Sequence, residues 1–278
     1  MTALPARLQT RLLMATQLPI VVTQALQLLE RKEPDFDQLI RTLSADPMLV
    51  ARIMSIANSP LMGRIARATS PRAACVTLGV EGMRSAVLAV GLTRHLRASD
   101  GNMMVINELW AHAFATAAAA RCLAPLCGAP PEMAYTAGLL HDIGKIVLVV
   151  HAWPEYQEVL ACQAAGDCFI GAAERSVLGT DHVEVGALIA RRWQLPDYLV
   201  DSIEHQQSPE YAAFPIVADV VHVANVVARA LALGNPGDDL VPAIHPLVMR
   251  RRNLPVSRLA ERFPDIEAAF EEILDFMG

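Results

Sequence analysis

Apolar residues recur at helical spacing along almost the whole chain, and alternation with a period of two is nearly absent. A chain patterned this way buries helix against helix and leaves no convincing strand. Its start and stop signals agree. Asp35 precedes a stripe of Phe36, Leu39, Ile40 and Leu43 and is a good N-cap. Asp46-Pro47 repeats the signal, with Pro at the first helical position, Leu49, Ile53 and Ile56 as the stripe, and Asn58-Ser59-Pro60 as the stop. Ser70-Pro71 opens a short helix that stops at Gly79, and a longer one runs from about Glu81 to Leu96. After a linker over Ala98–Asn102, two long helices are expected at about Val105–Leu126 and Pro131–Val150, joined by Gly128-Ala129-Pro130-Pro131. A loop through Gly166 and Gly171 follows. A helix then starts at Asp181, with Glu184 three residues on, and ends at Trp193-Gln194-Leu195-Pro196. Another reaches His205, a long one covers 214–233, and Gly234-Asn235-Pro236-Gly237 closes it. The last helix is amphipathic through Ile266, Phe270, Ile273, Leu274 and Met277.

Composition narrows the function classes. A length of 278 residues allows one large domain or two small ones. With 53% hydrophobic and 19% charged residues the chain can build a core and is not disordered. Aromatics are only 5% while Ala is frequent, which suits close helix packing. A net charge of −6 gives no basic face for displacing counterions from nucleic acid. Arg250-Arg251-Arg252 reads as a solvated turn or helix end. The five cysteines lack metal-type spacing and read as buried thiols of a reducing cytosol. No signal peptide is visible after Met1, and the apolar stretch Phe214–Gly234 carries Asp219, His222, Asn225 and Arg229, as a buried helix does and a membrane span does not. A cytoplasmic protein without membrane contact is the expectation.

The chemistry gathers on histidines. In His141-Asp142-Ile143-Gly144-Lys145, Lys145 lies four after His141 and three after Asp142, so a helix would put all three on one face. An imidazole, a carboxylate and an ammonium are costly to bury together without a partner, and a divalent metal supplies one. His112 sits in the preceding helix among alanines, where an antiparallel neighbour could approach and set it opposite His141. Asp181-His182, Glu204-His205-Gln206, Asp219, His222 and Asn225 follow. Each alone is an ordinary core or surface polar residue; together they run His, His-Asp, His, His, then a carboxylate or its amide.

That order resembles the HD superfamily of metal-dependent phosphohydrolases. The strings Ser44-Ala45-Asp46-Pro47, Ala57-Asn58-Ser59, Thr69-Ser70-Pro71 and Trp193-Gln194-Leu195-Pro196 point more narrowly to its HDOD branch, over roughly residues 15–235. The resemblance implies an all-α fold with a helical N-terminal lobe (1–100) packed on an HD-type bundle (101–235), followed by a tail (236–278). It implies metal positions at His112, His141, Asp142 and Asn225, with Fe, Zn, Mn or Ni as the divalent ion. It implies second-metal positions at His182 and His205, and a phosphate contact at Lys145. Two departures stand out. Active HD enzymes carry Asp where this chain has Asn225, which removes a full charge and a base. No Gly-Tyr-Pro loop follows His205-Gln206, as it would in the HD-GYP phosphodiesterases. The expectation is therefore a bacterial signal-transduction protein that acts on other signalling proteins, or on a second copy of itself, without turnover. The alternative is a metal-dependent phosphohydrolase or phosphodiesterase of a nucleotide or cyclic dinucleotide. The match uses most of the chain, so no receiver, cyclase or kinase segment is expected in it, and nucleic acid is not an expected partner.

Overall fold

The computed structural model describes residues 6–59, 68–96 and 101–277, without the side chains of 6, 7, 14, 15 and 275–277. Pro60 and most of the expected 98–102 linker lie outside the described residues, as does the Met277 side chain. Among the described residues the chain is helical with no strand, an all-α fold. Two helical stretches, 71–95 and 131–151, are long and apolar enough to cross a bilayer, but 67% and 83% of their apolar windows are buried inside the protein, as in core helices. All five cysteines are free thiols.

The chain divides into two compact units. One holds Leu18–His95 and the last residues from Asp275; the other holds the chain up to Gln17 and Leu96–Leu274. In order, α1 (Ala6–Ala15) belongs to the larger unit, and α2 (Ile20–Leu29), α3 (Phe36–Leu43), α4 (Pro47–Ala57) and α5 (Pro71–His95) build the smaller. The starts of α3 and α4 follow from capping. Asp35 accepts hydrogen bonds from the amides of Asp37 and Gln38, and Asp46 from those of Met48 and Leu49. Within α5 the helix breaks at Gly79, whose φ of 66° and ψ of −172° are not helical, so the stretch is two helices meeting where the sequence places the stop. Asp46 also pairs with Arg94 at 2.6 Å. Asp46→Ala should therefore lower stability by about 0.5–2 kcal/mol, read as an earlier urea midpoint, and an unshifted midpoint would refute the helix start.

The larger unit continues with α6 (Met103–Cys127), α7 (Pro131–Leu140), α8 (Ile143–His151), α9 (Trp153–Gly166), α10 (Ile170–Leu178), α11 (His182–Arg192), α12 (Asp197–His205), α13 (Pro215–Ala230), α14 (Pro246–Arg252), α15 (Val256–Ala260) and α16 (Phe263–Met277). Gly128 ends α6 in the left-handed region at φ 72°, and Pro131 starts α7. The alanines of α6 let α7 lie close: a methyl on Gly138 would sit 2.9 Å from both the Cα of Ala117 and the carbonyl oxygen of Thr116. Ala119, Ala120, Leu123 and Ala124 of α6 meet Val220, Val223, Ala224 and Val227 of α13 in one core, which Val248, Leu254, Leu259 and Ile266 extend. Of the expected stripe in α16, Ile266, Phe270 and Ile273 are buried and Leu274 is exposed.

Three expectations need correction. The helix expected over 131–150 is two helices, broken at His141-Asp142, where Asp142 leaves helical dihedrals (φ −107°, ψ 20°). The loop expected through Gly166 and Gly171 is the junction of α9 and α10. The arginine run is not simply solvated. Arg251 and Arg252 both clamp the fully buried Asp219, which removes that carboxylate as a substitute ligand near Asn225.

Candidate metal centre

The break between α7 and α8 turns His141 and Asp142 into the space beside α6. His141 Nδ1 donates to the Gly138 carbonyl at 2.7 Å. In the neutral ring the lone pair then stays on Nε2, which is buried, has no hydrogen-bond partner and lies 3.3 Å from Asp142 Oδ2. A lone pair and a carboxylate oxygen face each other here in a dry site; the Lys145 ammonium on Asp142 Oδ2 offsets the carboxylate charge but leaves the Nε2 lone pair with no donor. His112 comes in from α6, its ring 5.3 Å from that of His141 and roughly edge-on. One donor atom from each of His112, His141 and Asp142 lies within 4.8 Å of the others, and all three residues are buried. Two imidazole nitrogens and one carboxylate oxygen suit a divalent first-row ion. The orphaned Nε2 is the observation that fits such an ion to this chain.

Asn225 of α13 completes the approach. Its Oδ1 lies 3.1 Å from His112 Nε2, while the Leu233 carbonyl lies 3.4 Å from His112 Nδ1. Both neighbours are acceptors, and a neutral ring has one N–H to offer. If the proton sits on Nδ1 toward Leu233, the Nε2 lone pair and the Asn225 oxygen are free to ligate together. Asn225 Oδ1 also accepts from Arg229 Nε at 3.3 Å.

Lys145 sits in the first turn of α8. Its ammonium donates to Asp142 Oδ2 at 2.7 Å and to the Pro236 carbonyl at 2.9 Å. Burial alone would raise the Asp142 carboxyl, but His141 in its protonated form and Lys145 beside it outweigh that and hold it well below the usual carboxylate range; with His141 neutral, Lys145 is the cation that keeps Asp142 ionised. Burial, followed by the nearby His141, pushes His112 down to about 3. Neutral His112 is the ligating form at neutral pH.

A stability prediction follows from His112. The unfolded imidazole titrates near 6.5 and the folded one at about 3. Between these values the unfolded chain binds more protons, so the contribution is full above pH 6.5 and is lost as the pH falls. From this group alone about 2 kcal/mol should go between pH 6.5 and 5. Burial lowers His222 too, which acts in the same direction. Urea unfolding at pH 7.5 and pH 5 checks this, and equal stabilities would show that His112 accepts a proton in place.

The expected second-metal residues part company. His182, at the start of α11, reaches the cluster, with Nε2 3.5 Å from Asp142 Oδ1. Its Nδ1 and backbone amide both donate to the buried Glu174, which also accepts from the Tyr156 hydroxyl at 3.1 Å. Such a carboxylate fixes the tautomer and aims Nε2 inward. His182 Nε2 in turn meets the Gln207 side chain at 3.1 Å. His205 is not brought in: its Nδ1 bonds the Asp201 carbonyl on its own helix at 3.1 Å. Gln206 is the neighbour that turns inward, donating to the His141 carbonyl at 2.5 Å and lying 3.4 Å from Asp142 Oδ1. Sequence reading missed Glu174, Gln206 and Pro236. Glu174 lies eight residues before His182, a spacing that carries no signal. Gln206 adjoins the His205 that the resemblance singled out.

The HDOD domain family matches residues 15–209, which include His112, His141, Asp142 and Lys145 and stop short of Asn225. The crystal structure of an HDOD domain protein of unknown function from Geobacter sulfurreducens is similar at a TM-score of 0.76 and 27% identity, over 95% of this chain and 98% of that one. A Treponema pallidum protein of uncharacterised function is 26% identical over 235 residues, 83% of this chain and 45% of its own length. Ribonuclease Y of Thermus thermophilus is 28% identical over 202 residues, 71% of this chain and 27% of the enzyme. The chain thus spans less than half the length of these curated relatives.

Proposed function

The chain belongs to the HDOD domain family, and from that premise we propose that it is a bacterial regulatory protein that acts through contacts with other proteins and does not turn over a substrate at its His–Asp centre. One observation carries this reading: the centre is closed and already neutralised. His112 and His141 are fully buried, and Lys145 is 1% exposed. Both hydrogen bonds of the Lys145 ammonium go to protein oxygens, on Asp142 and Pro236. Hydrolysis of a phosphodiester needs an activated water, a base and a seat for the substrate. The amide of Asn225 supplies no charge, and the lysine that would meet a phosphate is engaged. A divalent ion held by His112, His141, Asp142 and Asn225 would supply Lewis acidity when bound. In this reading it sets the shape of the centre that partners sense.

The second reading is a metal-dependent phosphohydrolase or phosphodiesterase, favoured by the intact donor set and the orphaned His141 Nε2. Turnover decides between them. The full chain, loaded in turn with Mn, Fe, Ni and Zn, should hydrolyse a cyclic dinucleotide or bis-p-nitrophenyl phosphate well below ~1 s⁻¹. A rate of that order or above, lost in His141→Ala, would establish the enzyme and end the regulatory reading. In the same preparations Asn225→Asp should tighten Mn²⁺ about 10–100-fold by calorimetry, because a carboxylate returns the missing ligand charge. An unchanged affinity would place Asn225 outside the ligand set.

A further inference from the structure

The segment that follows α13 does more than end a helix. Ala232 and Gly234 take positive φ of 53° and 69°, and Gly237 takes 100°. These turns run the backbone directly over the centre. The Leu233 carbonyl faces His112 Nδ1, and the Pro236 carbonyl accepts from Lys145. Gly234 lies so close to α6 that a methyl on it would overlap the His112 backbone, with the Cα at 2.7 Å. The far end is tied by the buried Asp238. One of its oxygens accepts from the Ile170 amide at 2.9 Å and the other from Arg229 Nη1 at 2.5 Å. Arg229 also donates to the Leu240 carbonyl at 2.8 Å and, through Nε, to Asn225 Oδ1. A single guanidinium therefore joins a residue of the centre to the anchor of the segment lying across it.

We propose that residues 232–240 form a strap that closes the His–Asp centre at rest, with the Pro236 carbonyl holding the Lys145 ammonium, and that Arg229 couples the state of Asn225 to the Asp238 anchor. An anion that reaches Lys145 has to displace that carbonyl, and a change at Asn225 pulls on the strap. A closed strap is a resting state a partner can read. The inference rests on the reading of the centre above for what enters it, and on the hydrogen bonds alone for the closure.

Asp238→Asn and Gly234→Ala test it in the full chain, the first by weakening the anchor and the second by pushing the strap off His112. Two readouts separate the closure from the metal. Hydrogen exchange at the imidazole C2 positions of His112 and His141 reports solvent reach without any metal. Mn²⁺ uptake, followed by loss of the free-ion resonance, reports entry. In a variant that keeps the wild-type helical content, amide exchange over 232–240 and C2 exchange at both histidines should rise about 10-fold or more, with α6 and α7 amides unchanged and Mn²⁺ entry faster by a similar factor. C2 exchange equal to wild type in both variants overturns the strap. Raised C2 exchange with no Mn²⁺ uptake by any form keeps the strap and retires the metal reading. Raised strap exchange without raised C2 exchange shows a loop that moves and closes nothing, and overturns the proposal.

Discussion

Gly144→Ala should destabilise the protein by at least about 3 kcal/mol, although helix propensity alone gives the opposite sign. Gly144 lies in the first turn of α8, where exchanging Gly for Ala would ordinarily gain up to about 1 kcal/mol. Here a methyl would overlap the His182 carbonyl oxygen and come within 2.7 Å of the Gly186 amide nitrogen. Both obstacles are backbone atoms of α11, so no side chain can swing aside, and the two helices must separate. That separation would draw His182 away from Asp142, since the contact between them depends on the same approach. Gly186→Ala is the internal control. Its methyl would meet the Ile203 side chain at 3.0 Å, which can yield by a few tenths of an ångström, and the Gly144 backbone nitrogen at 3.3 Å, a tight contact but no overlap. The expected order is a severe loss for Gly144→Ala and a mild one for Gly186→Ala, read from urea midpoints. Equal effects, or a stabilised Gly144→Ala, would mean that α8 and α11 do not touch through these glycines.

The difference between what could and could not be read from sequence follows from which atoms carry the information. Helix starts at Asp35, Asp46 and Asp181 were legible because a capping carboxylate advertises itself by type and position, and each accepts amide hydrogen bonds of its own helix. The pairing of α6 with α7 was legible in the alanine run and the Gly128 turn. The break at His141-Asp142 was not, since Ile143, Gly144 and Lys145 continue a helical pattern and tertiary contacts decide the dihedral of Asp142. Helices α9 and α10 were lost because α9 buries only Tyr156 and Val159, too few residues to make a periodic stripe, and glycines flank the junction. Gln206 caps α12 with helical dihedrals (φ −56°, ψ −29°), so it lies one position round the helix from His205, and that rotation turns it inward. The Pro236 carbonyl is the extreme case. Every residue has a carbonyl, so its partnership with Lys145 leaves no mark in residue type.

Lys145→Met should cost about 3–5 kcal/mol without added metal, and much of that should return when Mn²⁺ is present. The side chain is 1% exposed and its ammonium lies 2.7 Å from Asp142 Oδ2. Met has nearly the same length and is apolar, so packing changes little, and the loss is electrostatic. Removing the ammonium leaves a buried carboxylate beside the orphaned His141 Nε2, and an uncompensated buried charge is among the costliest states a core can hold. A divalent ion at His112, His141 and Asp142 would restore the missing positive charge. Mn²⁺ should therefore raise the Tm of Lys145→Met by more than it raises that of the wild type, in which the ammonium already neutralises Asp142 and would stand close to the ion. Adding Asp142→Asn to Lys145→Met removes both members of the pair. The double variant should recover part of the stability lost by the single one and lose its response to Mn²⁺. An equal Mn²⁺ shift in wild type and Lys145→Met would show that the ion binds away from Asp142. A Lys145→Met protein as stable as wild type in the absence of metal would show that Asp142 is not held as a carboxylate by Lys145, and the neutralised centre would then be the wrong description of this site.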